Sequence, residues 1–154
     1  MDLLLCELEG LRCAFPASDV REVVRAVTIL PLADASQTVE GVINVRGDRV
    51  PMLNLRSRLH LEARPVGVTE HFVLLRAGGR QIGVRVDRAL AVITVPDGDI
   101  DAISQALSGT DGIPGIGTLP DQVVLVQDVN RLLEDPEQPA AVDSLVRSPG
   151  AGAV

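Results

Sequence analysis

Short apolar runs of strand length recur along the whole chain, near residues 3–8, 11–16, 23–30, 41–46, 49–55, 71–76, 80–87, 90–95 and 122–127. Turn-forming residues bound most of them: Glu9-Gly10, Gly47-Asp48, Gly78-Gly79 and Pro96-Asp97-Gly98. Runs this short and this closely spaced specify an antiparallel barrel or sandwich. No strong helical period separates successive runs, which excludes a parallel α/β sheet. The chain has two Phe and neither Trp nor Tyr, so its core must be built from Val, Leu, Ile and Ala. The expected fold class is all-β, with short helices at Ala17–Val20 (capped by Ser18 or Asp19), Leu55–Leu59 and Asp128–Glu134, where Asp128 can cap.

The formal charge of −7 and the near absence of rings argue against a nucleic-acid partner, which needs clustered cations and stacking surfaces. All 14 basic residues are arginine; GC-rich coding accounts for this, or a demand for the guanidinium fork does. No run reaches the roughly 18 apolar residues of a membrane span. The N-terminal MDLLLCELEG carries acids at once and lacks a basic leader region, so a cytoplasmic protein with no direct membrane insertion is expected.

A two-residue turn at Glu9-Gly10 predicts the register Leu8 with Leu11, Glu7 with Arg12 and Cys6 with Cys13. Leu4, Leu8, Leu11 and Phe15 then share a face with both cysteines, and Glu7 and Arg12 pair on the other. In a reducing compartment the thiols serve as small buried hydrophobes; a disulfide is the lesser reading, and metal binding is weaker still because no His joins them. The polar stretch His60–Thr69 predicts a division, with barrel 1 at about 1–60, barrel 2 at about 68–127 and a closing helix at 128–134. The segment 135–154, rich in Pro, Gly and Ala, reads as a flexible tail.

The chemistry of an enzyme is not visible. His60 and His71 lack ligand spacing, and no GxSxG, HExxH, P-loop or CxxC motif occurs. Asp97, Asp99, Asp101 and Asp111 lack the glycine and terminal glutamate of a calcium loop and read as solvated. Gly112–Gly117 (GIPGIG) lacks the Lys-Ser/Thr of a phosphate loop and reads as a close-packed turn. No cofactor and no metal are expected. The alternative function is a small-molecule or nucleotide-binding barrel that uses this loop.

Gly41–Leu59, GVINVRGDRVPMLNLRSRL, places an arginine beside a hairpin turn and a proline in the return strand. Neither is needed to make a hairpin, and a strand proline belongs at an edge, a bulge or a strand start. Arg46, with Glu22 as partner, is either a structural surface pair or a cation held toward a protein-binding surface.

Gly41-Val42-Ile43-Asn44-Val45-Arg46-Gly47, followed by Val50-Pro51 and Leu55, resembles the G-V-x-N-x-R-G…V-P…D-L motif of CheW-like chemotaxis adaptors. Ser18–Val23 resembles the family's V-x-E-V/I segment, Gly83–Asp87 its G-x-x-V-D strand, Gly112–Gly117 its glycine-rich turn, and Val124–Leu133 its closing strand and helix. The likeness covers roughly 1–134. It implies two small SH3-like five-stranded β-barrels sharing a core, in a non-catalytic scaffold joining a CheA-type histidine kinase to chemoreceptor tips, recruited to receptor arrays at the inner membrane. The kinase's regulatory domain would dock on the adaptor, and receptor helices would lie between the barrels. By this resemblance the partner-binding residues are Val20, Glu22, Gly41, Asn44, Arg46, Gly47 and Gly83, flanked by Asp87 and Val92. Absent side chains at the glycines would allow close approach of a receptor helix. Asn54 stands where the family has an acid before Leu55, and Arg85 interrupts a strand that is generally apolar.

Overall fold

The structure is a computed structural model that describes residues 1–32, 38–96, 115–119, 122–127 and 129. Ten strands are described: β1 (Asp2–Leu8), β2 (Leu11–Pro16), β3 (Val20–Arg25), β4 (Val39–Val45), β5 (Asp48–Leu53), β6 (His71–Ala77), β7 (Arg80–Val86), β8 (Arg88–Thr94), β9 (Gly115–Leu119) and β10 (Gln122–Val126). They form two five-stranded sheets: a terminal sheet in the order β8-β1-β2-β10-β9 and a central sheet in the order β3-β6-β7-β5-β4. The all-β expectation holds.

The division expected at His60–Thr69 does not. The central sheet is contiguous in sequence, from β3 to β7, and lies between the two parts of the terminal sheet, β1-β2 and β8-β10. The polar stretch only links one central strand to the next, which composition cannot distinguish from a boundary. Each sheet joins two hairpins through a short parallel contact, β5 with β7 in one and β2 with β10 in the other. Taken in the order β8, β9, β10, β1, β2, the terminal sheet repeats the plan of β3 to β7. The fold is thus a five-strand unit and a second copy split across the chain ends.

Strand parity explains the core. On β6, Val73, Leu75 and Ala77 face one side, while Phe72 and Leu74 face the other. On β1, Leu4, Cys6 and Leu8 face the same shared side, and Leu3 and Leu5 face away. Three apolar layers result: a large one between the sheets, which takes residues from both, and one on the far side of each sheet. Continuous apolar runs such as LLLC and FVLL are the signature of strands buried on both faces.

The hairpin register at Glu9-Gly10 is as expected, with Cys6 opposite Cys13. Both cysteines are free and buried. A hydrogen bond with Cys6 and burial push the Cys13 thiol up, so it stays protonated. Pro51 does not mark an edge, since β5 runs between β4 and β7. Its partner Val42 turns both backbone groups away, donating to Leu30 O at 2.9 Å and accepting from Leu30 N at 2.8 Å. The missing N–H of Pro51 therefore costs no bond to β4, and pairing with β7 begins one residue later, at Met52. The same Leu30–Val42 bridge carries the continuation of β3 across to β4, the two ends of the central sheet, and closes it on itself.

The turn at Ala17–Asp19 is a single 3-10 turn whose N-cap is Pro16, with no side-chain cap, so neither Ser18 nor Asp19 caps it. The second helix, α1 (Leu55–Arg58), is capped by Asn54, whose Oδ1 accepts from Ser57 N at 3.1 Å. Asparagine caps as well as aspartate, so this departure from the family pattern leaves the local fold intact. The helix ends in a Schellman motif: Leu61 N donates to Arg56 O at 2.8 Å and His60 N to Ser57 O at 3.2 Å. His60 takes the left-handed conformation there (φ 58°), where glycine is usual. Of the expected closing helix only Val129 lies within the described residues, and it is buried in the shared layer. The tail 135–154 lies outside them. His60→Gly is expected to raise stability by up to about 1 kcal/mol, because glycine relieves the left-handed cost but loses chain entropy. Chemical denaturation of both proteins checks it.

Candidate functional site

The β4–β5 turn sits one residue earlier than the sequence signal, at Arg46-Gly47, with Val45 opposite Asp48. Both turn residues have positive φ, 49° and 88°, which makes a type I′ hairpin whose twist matches that of its strands. Asn44 Oδ1 accepts from Gly47 N at 2.9 Å and fixes the turn from inside. Arginine in this conformation is uncommon. The turn aims its side chain back over β3, where Nη2 and Nη1 both reach the carboxylate of Glu22. The hydrogen bond from Arg46 holds the Glu22 carboxyl below the usual carboxylate range, and Glu22 in turn raises Arg46. Arg46 remains 64% exposed and Glu22 29%. Glu22 lies opposite Leu74, two residues from Val24 opposite Phe72. The pair therefore stands at the open end of the central sheet's own apolar layer.

The other expected partner residues are placed differently. Val20 begins β3 opposite Leu75 and packs on the shared layer. Gly41 and Gly83 are both buried, and the chain itself occupies the space a side chain would need. A Cβ at Gly41 would strike the Leu30 carbonyl and lie 2.7 Å from Ile29 Cγ2; one at Gly83 would lie 2.5 Å from Met52 Sδ. These glycines admit the closing Ile29-Leu30 segment and the packing of Met52. The expected approach of a partner backbone at those two positions is corrected accordingly.

Asp87 belongs to a separate cluster. Its Oδ2 accepts from Glu9 N at 2.7 Å, and its Oδ1 lies 3.8 Å from Arg56 Nη2. Arg56 is buried and donates to Glu9 Oε1 at 2.8 Å, and Arg64 Nη2 lies 3.0 Å from the same oxygen. A hydrogen bond from Arg56 holds the Glu9 carboxyl below its usual range. This cluster ties α1 to the β1–β2 turn. A cleft of about 430 Å³ beside it is lined by Asn54, Arg56, Ser57, His60, Leu61 and Ala63, none of which belongs to the Arg46 turn. Val92 is 62% exposed on β8, at the end of the terminal sheet's strand order.

Sequence reasoning missed the buried network around Arg85. Arg85 Nε and Nη2 donate to both oxygens of Glu70 at 2.9 and 3.0 Å, and Nη1 donates to Glu40 at 2.7 Å. The arginine that breaks an apolar strand pins the 61–70 loop to β4 and β7. An isolated Arg in a strand is the one signal that could have found it. The acidic positions Asp97, Asp99, Asp101 and Asp111 and the loop start Gly112–Pro114 lie outside the described residues. Gly115–Gly117 are strand rather than turn, forming β9 against β10. The sequence hides this because glycine is poor in strands.

Two sheets wrapped on one shared core, with an exposed ion pair at the mouth of one of them, define an all-β domain of a specific kind. A family model described as CheW-like domain matches residues 2–137, and the chain belongs to that family. The chemotaxis protein CheW of Treponema pallidum is 30% identical over 124 residues, covering 77% of this chain and 73% of the relative. That of Helicobacter pylori is 26% identical, covering 79% and 74%. The crystal structure of the scaffolding protein TtCheW from Thermoanaerobacter tengcongensis superposes with a TM-score of 0.73 at 22% identity, covering 87% of this chain and 88% of that one, which shows a shared fold.

Burial alone would push the Glu70 carboxyl up, but hydrogen bonds from Arg85 and from Gly67 N outweigh it and hold the carboxyl below its usual range. A group with a lowered folded pKa stabilises above its unfolded value, near pH 4.3, and that stability is lost as pH falls through the folded one. The melting temperature should therefore fall on acidification below about pH 4.3, and Glu70→Gln should flatten that limb. Arg85→Ala, which leaves two carboxylates without their partner, should cost about 3–5 kcal/mol at neutral pH. Denaturation as a function of pH measures both.

Proposed function

We propose that this chain is a non-catalytic adaptor that couples chemoreceptors to a CheA-type histidine kinase. The observation that carries the reading is the Glu22–Arg46 pair, held at an exposed hairpin tip by a type I′ turn within a chain of the CheW-like family. A solvated pair contributes little to folding, so its support by Asn44 and Gly47 is better explained by recognition. The relatives named chemotaxis proteins and the neighbour titled a scaffolding protein support the same role.

In this reading the partner surface comprises Glu22, Asn44, Arg46 and Gly47 at the mouth of the central sheet. Val20 lies beside it, and Gly41 and Gly83 shape it from beneath. Asp87, in the Arg56 cluster, and Val92, on the outer strand of the terminal sheet, lie apart from it. The kinase's regulatory domain and the receptor's cytoplasmic tip occupy different faces, and recruitment to receptor arrays at the inner membrane follows from receptor binding. Coupling works by population shift: the adaptor must bind one receptor conformation better than another to bias the kinase. No helix among the described residues is long and apolar enough to cross a membrane.

Arg46→Ala tests the reading. It should weaken co-sedimentation with a receptor-tip fragment and the kinase while leaving the melting temperature essentially unchanged, as for an exposed pair. A large fall in melting temperature would instead make the pair structural, and undiminished assembly would remove Arg46 from the interface.

A further inference from the structure

Five arginines among the described residues are matched by carboxylates. Arg46, Arg56, Arg64, Arg85 and Arg88 each lie within ion-pair distance of an acid. Three exposed arginines of the central sheet, Arg21, Arg25 and Arg76, are not so matched among the described residues; Arg25 lies opposite His71 at the far end of β3, and the other two stand together. Arg21 Nη1 donates to Gln81 Oε1 at 2.5 Å, a neutral acceptor. Arg76 stands directly opposite Gln81 in the β6–β7 ladder and has no ion-pair or hydrogen-bond partner among the described residues.

Their placement is specific. Phe72, Leu74 and Arg76 alternate onto one face of β6, so Arg76 caps the same apolar layer that Glu22 caps from β3. Arg21 is the bulged residue beside Glu22. A continuous row thus runs across the mouth, Arg76–Gln81–Arg21–Glu22–Arg46. It holds three guanidiniums against Glu22, with Asp48 beside Arg46 as the other acid. In a chain of formal charge −7 this is a local reversal of sign. Two clustered exposed cations without carboxylate partners do nothing for folding, since like charges repel, but they supply forks for incoming carboxylates.

We propose that Arg21 and Arg76, spaced by Gln81, extend the Arg46 surface into a cationic rim that receives an acidic segment of the chemoreceptor tip. This rests on the adaptor reading and adds the chemistry of the partner to it. Exposed charges of this kind steer encounter and fix register more than they hold the complex.

The test compares the full chain with Arg21→Glu, Arg76→Glu and Arg76→Lys. Association with a soluble receptor-tip fragment and with the kinase regulatory domain, both from the same organism, is followed at about 0.1 M and about 1 M salt. Both charge reversals should slow receptor association by about tenfold at low salt. The difference should shrink at high salt, Arg76→Lys should retain most of the rate, and kinase binding should be unaltered. Unchanged receptor association in both reversals, with wild type binding normally, overturns the rim while leaving the adaptor reading in place. So does a loss confined to the kinase. Failure of wild type to bind either protein overturns the adaptor reading and the rim with it. Melting temperatures equal to wild type confirm that each variant folds.

Discussion

The apolar layer shared by the two sheets is the constraint on which the rest of this structure depends. Fifteen buried residues among those described meet there, from both sheets, from α1 and at Val129, including Phe15, Leu53, Leu55, Leu75 and Ile82. Neither sheet can cover that face with water outside, because each would expose a continuous stripe of Leu and Val. With only two Phe in the chain, both buried, the layer is filled by aliphatic side chains at close packing. Everything at the mouth of the central sheet is positioned from this base. β6 presents Val73 and Leu75 inward and thereby sends Leu74 and Arg76 to the opposite side.

The same logic separates the two kinds of charge. Arg85 and Arg56 are buried, and each draws carboxylates from distant parts of the chain to tie loops to strands. Their worth lies in the penalty of leaving them unpaired. Arg46, Arg21 and Arg76 stay in solvent, where pairing gains little for stability. The exposed group is therefore the one available to recognition. Gly41 and Gly83 belong with the buried group: they let the closing segment and Met52 seat, and so hold the hairpin that carries Arg46.

Much of this was legible in the sequence, wherever local chemistry decides. Glu9-Gly10 set its hairpin register without error because a two-residue turn permits one pairing. The Glu22–Arg46 pair and the helix beginning at Leu55 are equally readable from local residue chemistry. The division of strands between sheets was not legible, because pairing between β2 and β10 depends on residues more than a hundred positions apart. β9 was hidden by its glycines, and the turn at Arg46-Gly47 was displaced by one residue because Asp48 mimics a turn former. Pro51 misled for a related reason. Its place inside the sheet depends on Leu30 taking the hydrogen bonds of Val42, a tertiary fact.

A shared core implies that the two sheets cannot open separately, although one is inserted within the other. Native-state hydrogen exchange measured against denaturant tests this most directly. The slowest amides of β1 and β2 and those of β6 and β7 should converge on one opening free energy with one denaturant slope. Core amides of either sheet exchanging through a separate, cheaper opening with a smaller slope would contradict a single shared core.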